Sequence, residues 1–118
     1  MKKQEYLKLW LLFINIKAKS GYNFNDLIDM EDKAKGKFIG AWANVIIKAT
    51  TINEALETAS LGLQELNFEI EFIDKIENFM SLVEAETLNK QVLDEANWLN
   101  KSDFVFKISD KIFPYSKK

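Results

Sequence analysis

The clearest patterning of apolar and polar positions runs from 38 to 74 and reads strand, helix, strand. Residues 38–49 carry Trp42 and a Val45-Ile46-Ile47 cluster, the β-branched content of a strand. Gly40 near the start marks a bulge or a close backbone approach. From 51 the period changes. Ile52, Ala55, Leu56, Ala59, Leu63 and Leu66 recur at helical spacing. They follow Thr51-Ile52-Asn53-Glu54, a capping box in which the Thr oxygen and the Glu carboxylate satisfy free backbone donors. Gly62 lies on or beside the stripe, which suits close packing on a sheet. Asn67 suits the left-handed residue that ends a helix. Residues 67–74 then alternate, with Phe68, Ile70 and Phe72 on one face and Glu69 and Glu71 on the other. Two strands joined through a helix should run parallel, with a right-handed crossover.

The flanks are less regular. Residues 4–18 are apolar on both faces, so period alone does not separate helix from strand. Leu7, Trp10, Leu11 and Ile14 fit a helical stripe, while Trp10, Leu12, Ile14 and Ile16 fit a strand. The ending Ile14-Asn15-Ile16-Lys17-Ala18 echoes Val45-Ile46-Ile47-Lys48-Ala49, which favours two neighbouring strands. Residues 19–37 form a loop marked by Gly21, Asn23 and Asn25, with a short helix from an Asn25 cap through Ala34 to Gly36. Residues 75–83 read as a short antiparallel strand or as loop. A second helix spans 84–100 on a stripe of Ala85, Leu88, Val92, Ala96 and Leu99. Lys101-Ser102-Asp103 breaks it, and a last strand covers 104–109 with Phe104, Phe106 and Ile108 on one face. Pro114 and the terminal lysines end the order.

The expectation is a single domain over 1–118, of the α+β class. It is a single-layer mixed or antiparallel sheet with two helices packed on one face. The element order is the βαββαβ of a ferredoxin-like sandwich, preceded by an extra N-terminal strand. Only element order carries that likeness.

Composition narrows the chemistry. The 118 residues are 47% hydrophobic and 29% charged, ordinary for a globular protein. Cys and His are absent, and all sixteen basic residues are Lys. That removes thiolate and imidazole chemistry and the bidentate guanidinium fork. No Ser lies in a nucleophile-elbow context. Glu69 and Glu71 could divide acid and base roles but read more simply as a solvated strand face. Asp26, Asp29, Glu31 and Asp32 lack the spacing and the glycine of a calcium loop. No catalytic residue, metal or cofactor is expected. The apolar run at 7–16 follows a basic start, but it is too short to span a bilayer and no clean cleavage site follows. A cytoplasmic protein without a membrane partner is expected.

Charge is distributed unevenly. Residues 1–50 hold nine Lys and five acids, residues 51–100 two Lys and eleven acids, and residues 101–118 five Lys and two acids. Their nets of +4, −9 and +3 make the total of −2. Glu65, Glu69, Glu71, Asp74, Glu77, Glu84 and Glu86 form the acidic middle. Such a surface attracts and orients a basic partner. The partner expected is another protein with a basic surface, for which a nuclease or nucleic-acid-binding protein is a natural class. Direct nucleic-acid binding is not expected. Tyr22, Phe24 and Tyr115 are candidate aromatic anchors. By size, charge and missing catalytic groups the chain resembles small immunity-protein or anti-CRISPR-type inhibitors, although no motif carries that resemblance. The runner-up is a ferredoxin-like ligand-binding or regulatory module that dimerises through its sheet, for which exposed Phe104 and Phe106 would speak.

Overall fold

A computed structural model describes residues 6–27, 38–86 and 88–116. The order of elements is β1 (Leu9–Ala18), α1 (Phe24–Leu27), β2 (Phe38–Lys48), α2 (Ile52–Glu65), β3 (Phe68–Asn78), α3 (Phe79–Ala85), α4 (Lys90–Lys101) and β4 (Phe106–Ser116). The four strands make one antiparallel sheet in the order β3-β1-β2-β4. The fold is α+β.

β1 is central because its sequence is apolar on both sides. Leu12, Ile14 and Ile16 enter one core with Ala41, Ala43, Val45 and Ile47 of β2 and Ala55, Ala59 and Leu63 of α2. Leu9 enters a second core with Ile46, Tyr6, Phe79, Val92, Ala96 and Leu99. Alternate strand residues point to opposite faces, so α2 covers one face and the α3–α4 pair covers part of the other. The expectation of helices on one face is therefore corrected. Ala55, Ala59 and Leu63 of α2 and Val92, Ala96 and Leu99 of α4 are buried against different sides of the sheet, whereas Ile52, Leu66 and Ala85 of the expected stripes are exposed.

The extra N-terminal strand turns out to organise the sheet. β2 and β3 both pair antiparallel with β1, so they run the same way, as expected of strands joined through a helix, with β1 between them. The segment 75–83 supplies no further strand, so from Phe38 onward the order is β, α, β, α, α, β and the expected ferredoxin-like βαββαβ order is not formed. That segment is the end of β3 followed by α3, which begins where the Asn78 side chain accepts from the Met80 N–H at 3.0 Å. The expected helix over 84–100 is two helices. Glu86 takes left-handed φ 56° and closes α3, and the Asn89 side chain caps α4 by accepting from the Val92 N–H at 2.9 Å.

Helix α2 matches its sequence signals closely. Thr51 Oγ1 accepts from the Glu54 N–H at 3.1 Å, and the Glu54 carboxylate reaches back to the Thr50 N–H at 3.1 Å. Asn67 takes φ 69° at the far end. A Cβ on Gly62 would lie 2.7 Å from the Phe106 ring, so α2 approaches β4 closely there. A Cβ on Gly40 would meet Tyr115 Oη and the Ile16 carbonyl at 2.5 and 2.7 Å, the close backbone approach expected of that glycine.

Two strands depart from their expected faces. In β3 the pairing with β1 shifts register between Phe13 and Ile14 and again between Asn15 and Ile16, leaving Asp74 and Glu71 as extra residues. A bulge adds one residue and turns the following side chain over. Phe72 therefore joins the face of Glu69, and Ile73 takes its place among the residues packed under α2. At the C-terminal end, Phe104 precedes β4 and stacks on Trp98 with ring centroids 5.8 Å apart. Phe106 and Ile108 pack in the α2-side core. The strand also continues through Pro114, tolerated because β4 is an edge. A short helix runs Phe24–Leu27, but Asn25 lies inside it and the Asn23 side chain accepts from the Asn25 N–H at 3.0 Å, so the expected Asn25 cap is corrected to Asn23. The stretch expected to run to Ala34 and Gly36 lies outside the described residues.

Candidate docking surface

Among the described residues, the face that carries α3 and α4 is covered only at one end. There Leu9 and Ile46 meet the helices. Toward the other end the same faces of the strands present Phe13, Asn15 and Lys17 on β1, Asn44 and Trp42 on β2, Phe72 on β3, and Phe113 and Tyr115 on β4. Register places Phe72 opposite Asn15, Asn15 opposite Trp42, and Trp42 opposite Phe113, so one row crosses all four strands.

Cross-strand neighbours on one face lie close enough for rings to touch. Phe13 stacks on Trp42 with centroids 5.1 Å apart. Phe113 meets Phe13 edge-on at 6.5 Å, and Phe72 meets Trp42 edge-on at 6.3 Å. The Lys111 ammonium sits 5.7 Å from the Phe113 ring centroid. The plate is not sealed from water, since Phe72 is 56% and Phe113 44% exposed. Beside it the Tyr115 hydroxyl donates to Asn15 Oδ1 at 2.5 Å, holding β4 to β1 across β2.

One margin of the plate is the β3 edge. Glu69, Glu71, Asp74 and Glu77 are exposed along it. Lys17 of β1 reaches Glu71 at 2.8 Å and Glu69 at 3.9 Å. Hydrogen bonding and attraction to Glu71, with a smaller contribution from Glu69, raise the Lys17 pKa above its ordinary 10.5. Lys17 thus offsets part of the negative charge at that end, while Asp74 and Glu77 have no ion-pair partner among the described residues.

The other candidates disperse. Glu65 ends α2, and Glu84 and Glu86 are exposed at the end of α3, away from the strand row. Phe24 is corrected from anchor to core residue. It is 3% exposed and packs on Phe68 at 5.7 Å. Tyr22 is exposed in the turn before α1. Tyr115 does belong to the plate. Asp29, Glu31 and Asp32 lie outside the described residues. Among the described residues no group of three or more acidic side chains is placed to hold a metal ion, and no helix is long and apolar enough to cross a membrane.

Phe13, Trp42, Phe72 and Phe113 were not singled out from the sequence. Their signal was the second face of β1 and β2. There aliphatic Leu9, Leu11 and Ile46 give way along the strands to aromatic and amide residues. Compared with protein-family models, curated proteins and solved structures, the chain matches none.

Proposed function

We propose that this protein is a non-enzymatic binding protein that seats a macromolecular partner on the open half of its sheet. The carrying observation is the aromatic row of Phe72, Trp42 and Phe113 with Phe13, half exposed and unpartnered. Soluble monomers seldom leave a contiguous apolar patch of more than roughly a few hundred Å² in water unless something docks there. Aromatic rings in a plate with amides beside them are what interface centres favour.

The sheet edges support the face as the route of docking. β3 is broken by register shifts at Glu71 and Asp74 and lined with charge. β4 shifts register around 109–111 and contains Pro114. These are devices that discourage strand addition. The acidic β3 margin then selects the partner, a protein with an apolar centre and a basic rim. A nuclease or other nucleic-acid-binding protein has such a rim, and covering it would inhibit it by occlusion.

The test is a complex isolated from the native cell and rebuilt from the purified chain and the identified partner. Affinity should fall as salt is raised. Phe72→Ser with Phe113→Ser should weaken binding at least tenfold while leaving the circular dichroism unchanged. Glu69→Lys with Glu71→Lys should remove most of the salt dependence. A rebuilt complex indifferent to both pairs of substitutions would sink the proposal. So would a stable dimer of the chain alone, by light scattering, that the aromatic substitutions dissolve.

A further inference from the structure

The seam between the helix-covered and open halves of the same sheet face holds a groove of about 340 Å³. Its floor is Leu11 and Phe13 of β1 with Asn44 of β2. Leu82 of α3 and Leu88 before α4 form one wall, and Lys75 and Glu77 of β3 form the other. Register fixes this arrangement, since Lys75 lies opposite Phe13, Phe13 opposite Asn44, and Glu77 opposite Leu11. Small-ligand sites combine an apolar lining with a few convergent polar groups in a space of roughly this size.

The polar wall is unusual for this sheet. Lys17 on the same face is engaged by Glu71 and Glu69, and Lys107 lies 3.3 Å from Asp110. Lys75 and Glu77 have no ion-pair partner among the described residues, and the Asn44 side chain has no hydrogen-bond partner there. Two residues apart on one strand face, the cation and the anion stand roughly 7 Å apart at their Cα atoms. That spacing lets two long side chains converge on one small dipolar head group.

We propose that this groove binds a free amino acid with an apolar side chain. Its carboxylate faces Lys75, its ammonium faces Glu77, and its side chain lies against Leu11, Phe13, Leu82 and Leu88. Asn44 offers both a donor and an acceptor to the head group. An acid alone or an amine alone would satisfy one of the two charges and leave the other idle, so the zwitterion is the ligand that the wall complements. The site shares Phe13 with the aromatic plate and Glu77 with its acidic margin, while Lys75, Leu11, Leu82 and Leu88 belong to the groove alone.

The experiment is a titration of the ¹⁵N-labelled chain with L-leucine, L-methionine and L-phenylalanine, followed by amide shifts. Saturable shifts are expected for Leu11, Phe13, Asn44, Lys75, Glu77 and Leu88. N-acetyl-L-leucinamide, which has the side chain without either charge, should bind at least tenfold more weakly. Lys75→Met and Glu77→Gln, both at exposed positions, should each weaken leucine at least tenfold with the spectrum otherwise preserved. Phe72→Ser with Phe113→Ser should leave leucine binding intact, which separates this site from the docking plate. Three results would overturn the proposal: no saturable shift at millimolar amino acid, equal binding of the uncharged amide, or shifts that map away from the groove.

Discussion

Gly62→Ala tests how tightly α2 is seated on the sheet. In an isolated helix the change should stabilise by about 1 kcal/mol, because Ala is the better helix former. Here the added methyl would lie 2.7, 2.8 and 2.9 Å from Cδ2, Cγ and Cε2 of Phe106. Carbon atoms in contact prefer roughly 3.5–4.0 Å, so either the ring or the helix must retreat by close to an ångström. The ring opens β4 opposite Ile47, in the core shared with Leu63 and Ala59. If the helix retreats instead, Ala55, Ala59 and Leu63, all fully buried, lose contact with the sheet. Overpacking of this kind costs about 1–3 kcal/mol. The crowding term should win, giving a net loss of up to about 2 kcal/mol. Urea unfolding followed by fluorescence of Trp10, Trp42 and Trp98 measures it. Adding Phe106→Leu supplies the control, because a smaller, flexible side chain relieves the crowding. The double variant should be more stable than the sum of the singles by at least about 1 kcal/mol. A gain in stability for Gly62→Ala, or strict additivity with Phe106→Leu, would refute the reasoning.

Three further predictions follow from local chemistry. Thr51→Ala removes the oxygen that accepts from the Glu54 N–H and should cost about 1 kcal/mol in the same unfolding assay, with Thr51→Ser nearly neutral. Glu95 of α4 is buried and accepts from the Asp110 N–H at 2.9 Å, satisfying a donor in the β4 register shift. Glu95→Ala should cost about 1–3 kcal/mol and speed hydrogen exchange at Asp110, and Glu95→Gln should cost less because it keeps an acceptor. Lys17 has a raised pKa, so its contribution to stability is present below pH 10.5 and lost as pH rises through the higher folded value. The stability difference between the parent and Lys17→Met should be level from neutral pH to 10.5 and shrink above it, and a difference that grows with pH in that range would contradict the pairing with Glu71.

Legibility in the sequence followed the range of the interactions involved. Helix α2 was readable to its caps because Thr51, Glu54 and Asn67 act on backbone within a few residues. The close approaches at Gly62 and Gly40 were readable as well, since a missing Cβ points to something nearby without naming it. The apolar residues on both faces of β1 left helix and strand open in the sequence, and its place between β3 and β2 came only from the pairing. The face of Phe72 was not readable. Alternation from Phe68 assigns it to the core, and only pairing with β1 reveals the extra residue at Glu71 that turns it outward. Phe104 was misplaced for a related reason. Its spacing to Phe106 suits a strand, but the stack on Trp98 holds it outside β4. The acidic residues were counted correctly, yet a count along the chain does not say that Glu84 and Glu86 lie on α3 while Glu69 to Glu77 line a sheet edge.

The half-covered face has a simple origin in element lengths. β2 and β4 have eleven residues each, roughly 36 Å of strand at about 3.3 Å per residue. α4 has twelve residues, about 18 Å at 1.5 Å per residue, and α3 has seven. Even laid along the strands, α4 spans half their length. On the opposite face α2 is helped by α1, whose Phe24 packs on Phe68 and extends the cover. On the α4 face the chain changes side-chain chemistry where the helices stop. Leu9 and Leu11 pass to Phe13, Asn15 and Lys17 along β1, and Ile46 passes to Asn44 and Trp42 along β2. A face intended to be sealed by more of the same chain would have remained aliphatic, as the α2 face does from Leu12 to Ile16. Rings with a polar edge or an amide neighbour tolerate water while unpaired and still offer a large apolar area to an arriving surface. This change of chemistry within single strands, more than the acidic surplus of residues 51–100, locates the surface on which function should be sought.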